Sequence, residues 1–513
     1  MLQANLAYWK RTANALGLVA LLCAVVASVG CGGALRSRSG YQASADPLLI
    51  GVDPGPLGST TPQSLQLRLG SLPSDRIVSL SLDISSLKTT NSFPQDLELL
   101  TAPITVEFTR NALTSEPITV REDIYQDTYS TLIFPAMTGQ VVFYDVNGQL
   151  VSQAISVPGQ SIPYSFVLGA NPMVLTVTLD LAQSFTITDT AGAEFGRSMS
   201  QDAPLGSSSF TVNALVVNAA NAVPNPAVGQ PESGSFSFVV GTVTNVNEST
   251  KKLTVRPSSG DSFQFSYDDT TEFVDCTAAT LVGMMVETEG ETQANGSVLA
   301  SEIELINNSQ SNSELYGQMS GYAPDGMNFN LIVQGGLGVN VTTGLVGKTV
   351  TLDWLAAGYS VNGARLSPSL YPDLVFDEAR AFPGQLVEAE WDTLIVPDPD
   401  SSNAGLMQPR MLELEEQTLS GQVSNYVYDA GSQTGTFTLT VANNAAIRRM
   451  NSGLVTITVR RVPVTYLQNN PTFGNGDNVK VRGLLFADPL YNNSNYHPPD
   501  PIKFIMVADR ISK

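Results

Sequence analysis

Gly283-Met-Met-Val-Glu-Thr-Glu-Gly290 reads as a turn, a strand and a second turn. The same grammar returns as Gly384-Gln-Leu-Val-Glu-Ala-Glu-Trp391 and as Gly476-Asp-Asn-Val-Lys-Val-Arg-Gly483. Three occurrences mark one small β-unit used three times, and they divide the C-terminal half of the chain. The first copy spans 236–306, opening at Gly241-Thr-Val243 and passing through Thr271-Glu-Phe273 before its turn glycine. The second spans 314–417, opening at Gly317-Gln-Met319, and is the most diverged, with Trp391 where the others have glycine. The third spans 418–513, opening at Gly421-Gln-Val423 and carrying Thr465-Tyr466. Phe273 and Tyr466 each lie ten residues before their turn glycine.

This set of features resembles an uncharacterised bacterial domain family, a small barrel of five or six strands similar to oligonucleotide/oligosaccharide-binding (OB) barrels. The resemblance implies tandem copies and no known activity. A lone copy of this size buries a modest fraction of its surface, so the copies are expected to pack on one another.

Ahead of the repeats, alternation of period two dominates. Leu65, Leu67 and Leu69 alternate with polar residues, as do Val78, Leu80, Leu82 and Ile84, and later Leu175, Val177, Leu179 and Leu181. Such strands bury one face and wet the other. Asn147-Gly148 between two apolar runs predicts a hairpin. Residues 48–217 therefore read as an antiparallel β-sandwich, and 218–235, rich in Asn, Ala, Pro and Gly, as a linker. Val78 to Leu87, Leu97-Glu-Leu-Leu100 and Leu175 to Leu181 loosely resemble a second uncharacterised domain of bacterial envelope lipoproteins. The fold class expected for the whole is all-β: a sandwich followed by three OB-like barrels.

The chain begins with Lys10-Arg11, an apolar run from Ala13 to Val29, and Gly30-Cys31-Gly32-Gly33. A positive start, an apolar core and small residues at its end are the marks of an export signal. With cysteine directly after Gly30, the stretch resembles a bacterial lipoprotein signal, departing at Ser28, where that family usually has Leu. The resemblance implies cleavage after residue 30, lipidation (diacylglyceryl and further acyl chains such as palmitate) at Cys31, and transfer to the outer membrane, since Gly32 is not Asp. Two or more acyl chains give stable anchoring where one does not. An ordinary cleaved signal and a retained membrane helix are the alternatives. Residues 31–47 read as a tether.

The sequence has 513 residues, 42% of them hydrophobic and 14% charged, with a formal net charge of -21. An acidic surface disfavours both nucleic acid and anionic lipid headgroups. The expected partners are the membrane, reached through the N-terminal lipid, and an envelope glycan or surface protein. The charge is uneven. Residues 236–306 hold 3 basic and 11 acidic residues, 314–417 hold 4 and 14, and 418–513 hold 9 and 5. The third copy carries Arg448, Arg449, Arg460 and Arg461, which read either as a patch for an anionic polymer or as a basic module docking on an acidic neighbour. Its long insertion before the last strand carries Tyr491, Tyr496 and His497, a composition suited to stacking on sugars or peptides.

One histidine and three cysteines leave no Ser-His-Asp, Cys-His or zinc arrangement. No catalytic residue, metal or cofactor is expected. Carboxylate pairs remain open, because a glycosidase needs only two. Glu287 and Glu289, at i and i+2 on one strand, share a face opposite Val286, and solvent is the expected neighbour of that face.

The leading hypothesis is a non-enzymatic, lipid-anchored envelope protein, a rod of β-domains with structural, adhesive or recognition roles. A carboxylate-based polysaccharide enzyme is the alternative, and it predicts an acidic cleft in 48–217. Binding of an anionic polymer or nucleic acid through the third copy is a second alternative, and it predicts a basic groove.

Overall fold

The computed structural model describes residues 62–513 apart from internal stretches, the longest being 191–205, 223–234, 392–402 and 490–502. The signal-like segment and Cys31 lie outside the described residues. Those described are almost entirely β, as the alternation predicts. Among them, no helix is long and apolar enough to cross a membrane.

The first domain wraps three four-stranded sheets around one core in which Leu67, Leu80, Leu132, Val141 and Leu175 are at most 1% exposed. Asn147-Gly148 makes the expected turn, joining the paired strands Met137–Tyr144 and Leu150–Val157, with Gly148 at φ 76°. One pairing departs from the antiparallel expectation. Pro62–Leu72 runs parallel to Met173–Asp180, across a connection long enough to contain most of the domain. The strand Val217–Ala222 pairs with Met173–Asp180, so this domain runs on into the stretch that reads as linker.

Each repeat folds as a small barrel with one strand order. In the third, Glu416–Asp429, Thr434–Val441, Thr456–Leu467, Phe504–Ser512 and Asn478–Ala487 close in that order, the third strand parallel to the last. The first copy closes identically, through Phe263–Ser266 parallel to Val298–Leu305. The second does so with its last strand split into Asn403–Met407 and Met411–Leu414. This is the connectivity of an OB-like barrel.

The repeated residues have one job each. Gly283, Gly384 and Gly476 adopt φ of 87°, 99° and 93°, a region that disfavours any residue with a Cβ. Each donates its amide to the opening strand: Gly283 to Val243 O, Gly384 to Met319 O, Gly476 to Val423 O. Thr271 and Thr465 each donate a hydroxyl to a carbonyl of the last strand, Ala300 O at 2.7 Å and Ala508 O at 2.6 Å.

The four domains pack into one body, where the sequence suggests a rod. The second and third modules share a single apolar cluster, because Leu484 and Phe486 point out of the third barrel while Leu485 and Ala487 point into it. Gln385 donates to Leu485 O across the same joint at 2.9 Å.

The loop after Ile104–Glu107 in the first domain reaches the modules. Buried Glu107 accepts from the Leu80 and Arg110 amides at 2.8 and 2.6 Å, and Asn111 donates to Glu116 at 2.8 Å. So braced, the loop presents its outer edge. Arg482 donates to Arg110 O at 2.9 Å, Thr418 to Ala112 O at 3.0 Å, and Arg510 to Leu113 O at 2.5 Å. The Arg110 side chain continues into the space between the first and second modules.

Candidate functional site

Two places on the modules concentrate chemistry. The first is the open end of the third barrel, on the strand face that continues its interior beyond Phe437 and Val459. Tyr428, Gly435 and Arg461 are register partners across its first three strands. A Cβ on Gly435 would stand 3.3 Å from the Tyr428 ring, so glycine leaves the ring room to lie across the strand. The Arg461 guanidinium sits 4.2 Å over that ring. Tyr426 lies parallel to Tyr428, with ring centroids 6.4 Å apart and planes 6° apart. Tyr428 is 38% exposed and Val427 66%. This face borders the short loop 430–433 between the first two strands, one of the loops that flank the ligand surface of OB barrels.

The four sequence-predicted arginines do not form one groove. Arg460 makes two bonds to Asp373 of the second module, at 2.7 and 2.8 Å. Arg461, next in the strand, faces the opposite way onto Tyr428. Arg448 donates to Asn443 at 2.8 Å, within its own module. Arg449 acts on Asp189 of the first domain, whose carboxylate it helps Arg76 to hold below the usual range against the opposing effect of burial. In Arg460 the reading of a basic module docked on an acidic neighbour is realised. Tyr491, Tyr496 and His497 lie outside the described residues.

The second place is the joint between the first and second modules. The face carrying Glu287 and Glu289 meets the second module, which leaves Glu287 buried and Glu289 half-buried. Glu287 is 3% exposed. From the first module Glu287, Glu289, Glu302 and Glu304 face Glu314, Glu388, Glu390, Glu413 and Glu415 of the second, with like charges in direct cross-strand register at Glu287–Glu304, Glu289–Glu302 and Glu388–Glu413. Arg110 enters this box from the first domain, 3.6 Å over the Tyr316 ring. Arg410 holds Glu390 at its edge, and Arg482 holds the adjoining Glu416.

Burial is the first cause of the unusual acidity here, and neighbouring glutamates the second. Together they raise Glu302 to about 7, Glu413 to about 8 and Glu304 to about 9. Glu287, Glu289 and Glu388 are pushed well above the ordinary range. Geometry points the same way. The Tyr316 hydroxyl lies 3.2 Å from Glu287 Oε1 and 3.1 Å from Glu314 Oε2. It has one proton to donate, and a proton on one of the two carboxyls lets both contacts be full hydrogen bonds. Among the described residues no three acidic, histidine or cysteine side chains take up a metal-holding arrangement.

The signal for this box was present as four Glu-x-Glu pairs: 287/289, 302/304, 388/390 and 413/415. All lie on the fourth and fifth strands of two modules, Glu415 directly after the last of them, where a solvent-facing sheet would mix its signs.

Residues 240–304 match a protein family described as Domain of unknown function (DUF5666). The match covers most of the first module and agrees with an uncharacterised OB-like domain. No curated protein matches the chain. Among solved structures, the single-stranded DNA binding protein from Thermus aquaticus is similar at 15% identity, covering 39% of this chain and 91% of its own, with a TM-score of 0.14. A deletion mutant of that protein is similar at 13% identity, with 39% and 92% covered and a TM-score of 0.14.

Proposed function

We propose that this chain is a non-enzymatic, lipid-anchored protein of the bacterial envelope that offers the open end of its third module to a glycan. The observation that carries the recognition reading is the Tyr428–Arg461 stack laid across Gly435, beside the parallel ring of Tyr426. An exposed aromatic face with a guanidinium at its back suits the apolar face and hydroxyl edge of a sugar ring. The position of this stack on an OB-like barrel supports the same reading. Anchoring is supported by Lys10-Arg11, the apolar run and Gly30-Cys31.

Two measurements test this proposal. The full chain is screened against envelope polysaccharides, with Tyr428→Ala and Arg461→Ala beside it. Binding weakened about tenfold or more in Tyr428→Ala, with unfolding unchanged, supports the reading. A chain that binds no glycan, or a variant that binds as well as the parent, overturns it. For the anchor, Cys31→Ser is expected to move the protein from the membrane to the soluble fraction; full retention would favour an uncleaved helix.

A further inference from the structure

The joint between the first and second modules buries carboxyl groups that a stable interface would ordinarily exclude. Replacing them with apolar residues would cost nothing in packing, and scattering them over the surface would leave them hydrated. Instead they sit in cross-strand register with like charges, in a box with one inserted cation. The Tyr316 hydroxyl lies within hydrogen-bond distance of both Glu287 and Glu314, a pair of contacts that a carboxyl proton completes.

We propose that this joint is a proton-operated lock. It holds the first module on the second while the facing glutamates are protonated, and it loosens as they ionise.

Every charged group that meets the box has a place in this account. From the first module Glu287, Glu289, Glu302 and Glu304 face inward, with Glu272 and Asp275 acting from the rim. The second module supplies Glu314, Glu388, Glu390, Glu413 and Glu415, with Asn362 donating to Glu289 and Glu415. Arg110 comes from the first domain, Arg410 pairs with Glu390, and Arg482 acts on Glu415 from the third module. The cations are outnumbered, so full ionisation leaves excess negative charge trapped between two barrels.

The direction of the response follows. Separated modules release these protons near the ordinary 4.5, whereas the closed joint retains them to about 7 at Glu302, about 8 at Glu413 and about 9 at Glu304. The closed state binds more protons over that window, so its stability falls as pH rises from about 5 to about 9. The device is therefore closed in acid and progressively released towards alkaline pH.

Amide hydrogen exchange on the full chain, in the presence of a chelator so that no cation substitutes for protons, tests the lock. Protection of Met285–Thr292 and Leu386–Trp391 is read relative to Thr434–Val441 in the third barrel, which cancels the intrinsic effect of pH on exchange. The ratio is expected to fall by about tenfold or more between about pH 5.5 and 8.5, one carboxyl shifted by one unit being worth tenfold. Glu304→Gln with Glu413→Gln, which keeps shape and removes two titrating groups, is expected to flatten the profile. A ratio that is constant or rises with pH in the unmodified chain overturns the proposal without recourse to any variant. So does a double variant with the unmodified slope.

Discussion

Replacing Arg110 with alanine is expected to cost the folded chain about 3–5 kcal/mol at neutral pH, the range for removing one partner from a buried charge cluster. Arg110 is 8% exposed, lies over the Tyr316 ring, and acts on Glu287, Glu289 and Glu415. Its removal leaves those carboxyls without the cation nearest to them and opens a void beside the ring. Protonation is the only relief left to them, so the deficit should shrink in acid. Chemical denaturation at about pH 7 and about pH 4.5 reads both effects. A deficit of the same size at the two pH values would mean that Arg110 matters through packing alone. Arg110→Lys is expected to recover only part of the loss, since an ammonium cannot lie flat on the ring and reach several carboxyls at once.

Phe486→Ala should be comparably severe, at about 3–5 kcal/mol. The ring is fully buried and packs 5.1 Å from Tyr371 of the second module. It stands in an apolar cluster built by both modules, with Leu484, Ile505 and Val507 on one side and Phe376 and Leu412 on the other. The loss is therefore expected in both modules together. Hydrogen exchange should show protection falling in Leu386–Trp391 and in Asn478–Ala487 alike. Loss confined to the third module would show two independent cores. Phe437→Ala, inside the third barrel, is the comparison, because its ring packs edge-on against Tyr426 and Phe473 of the same module.

Alternation made the strands and the barrels legible, since Val286 in and Glu287 out is written in the period of two. Alternation names two faces and is silent on what covers the second. Glu287 and Glu289 were placed on the correct face and given the wrong neighbour for that reason. Arg460 and Arg461, adjacent in sequence, invited one basic patch, yet successive residues in a strand point apart, and the structure sends one to Asp373 and the other to Tyr428. Phe504-Ile-Met-Val-Ala508 and Leu484-Leu-Phe-Ala487 carried a different message. Unbroken apolar runs belong to strands buried on both faces, and these two seat the third barrel on the second. Tyr428 and Gly435 had no signal of their own; their pairing depends on the register of two strands and a bulge at Asn425, which takes φ 53°.

The contact of Arg510 with Leu113 spans 397 positions of sequence, and that of Arg482 with Arg110 spans 372. A chain emerging from its N-terminus can complete the first domain while both arginines are still unmade. Loop closure over such distances comes late. Assembly is thus a final step governed by the last strand to arrive. A chain stopped short of Phe504 would lack the strand that closes the third barrel and, with it, the clamp on the first domain.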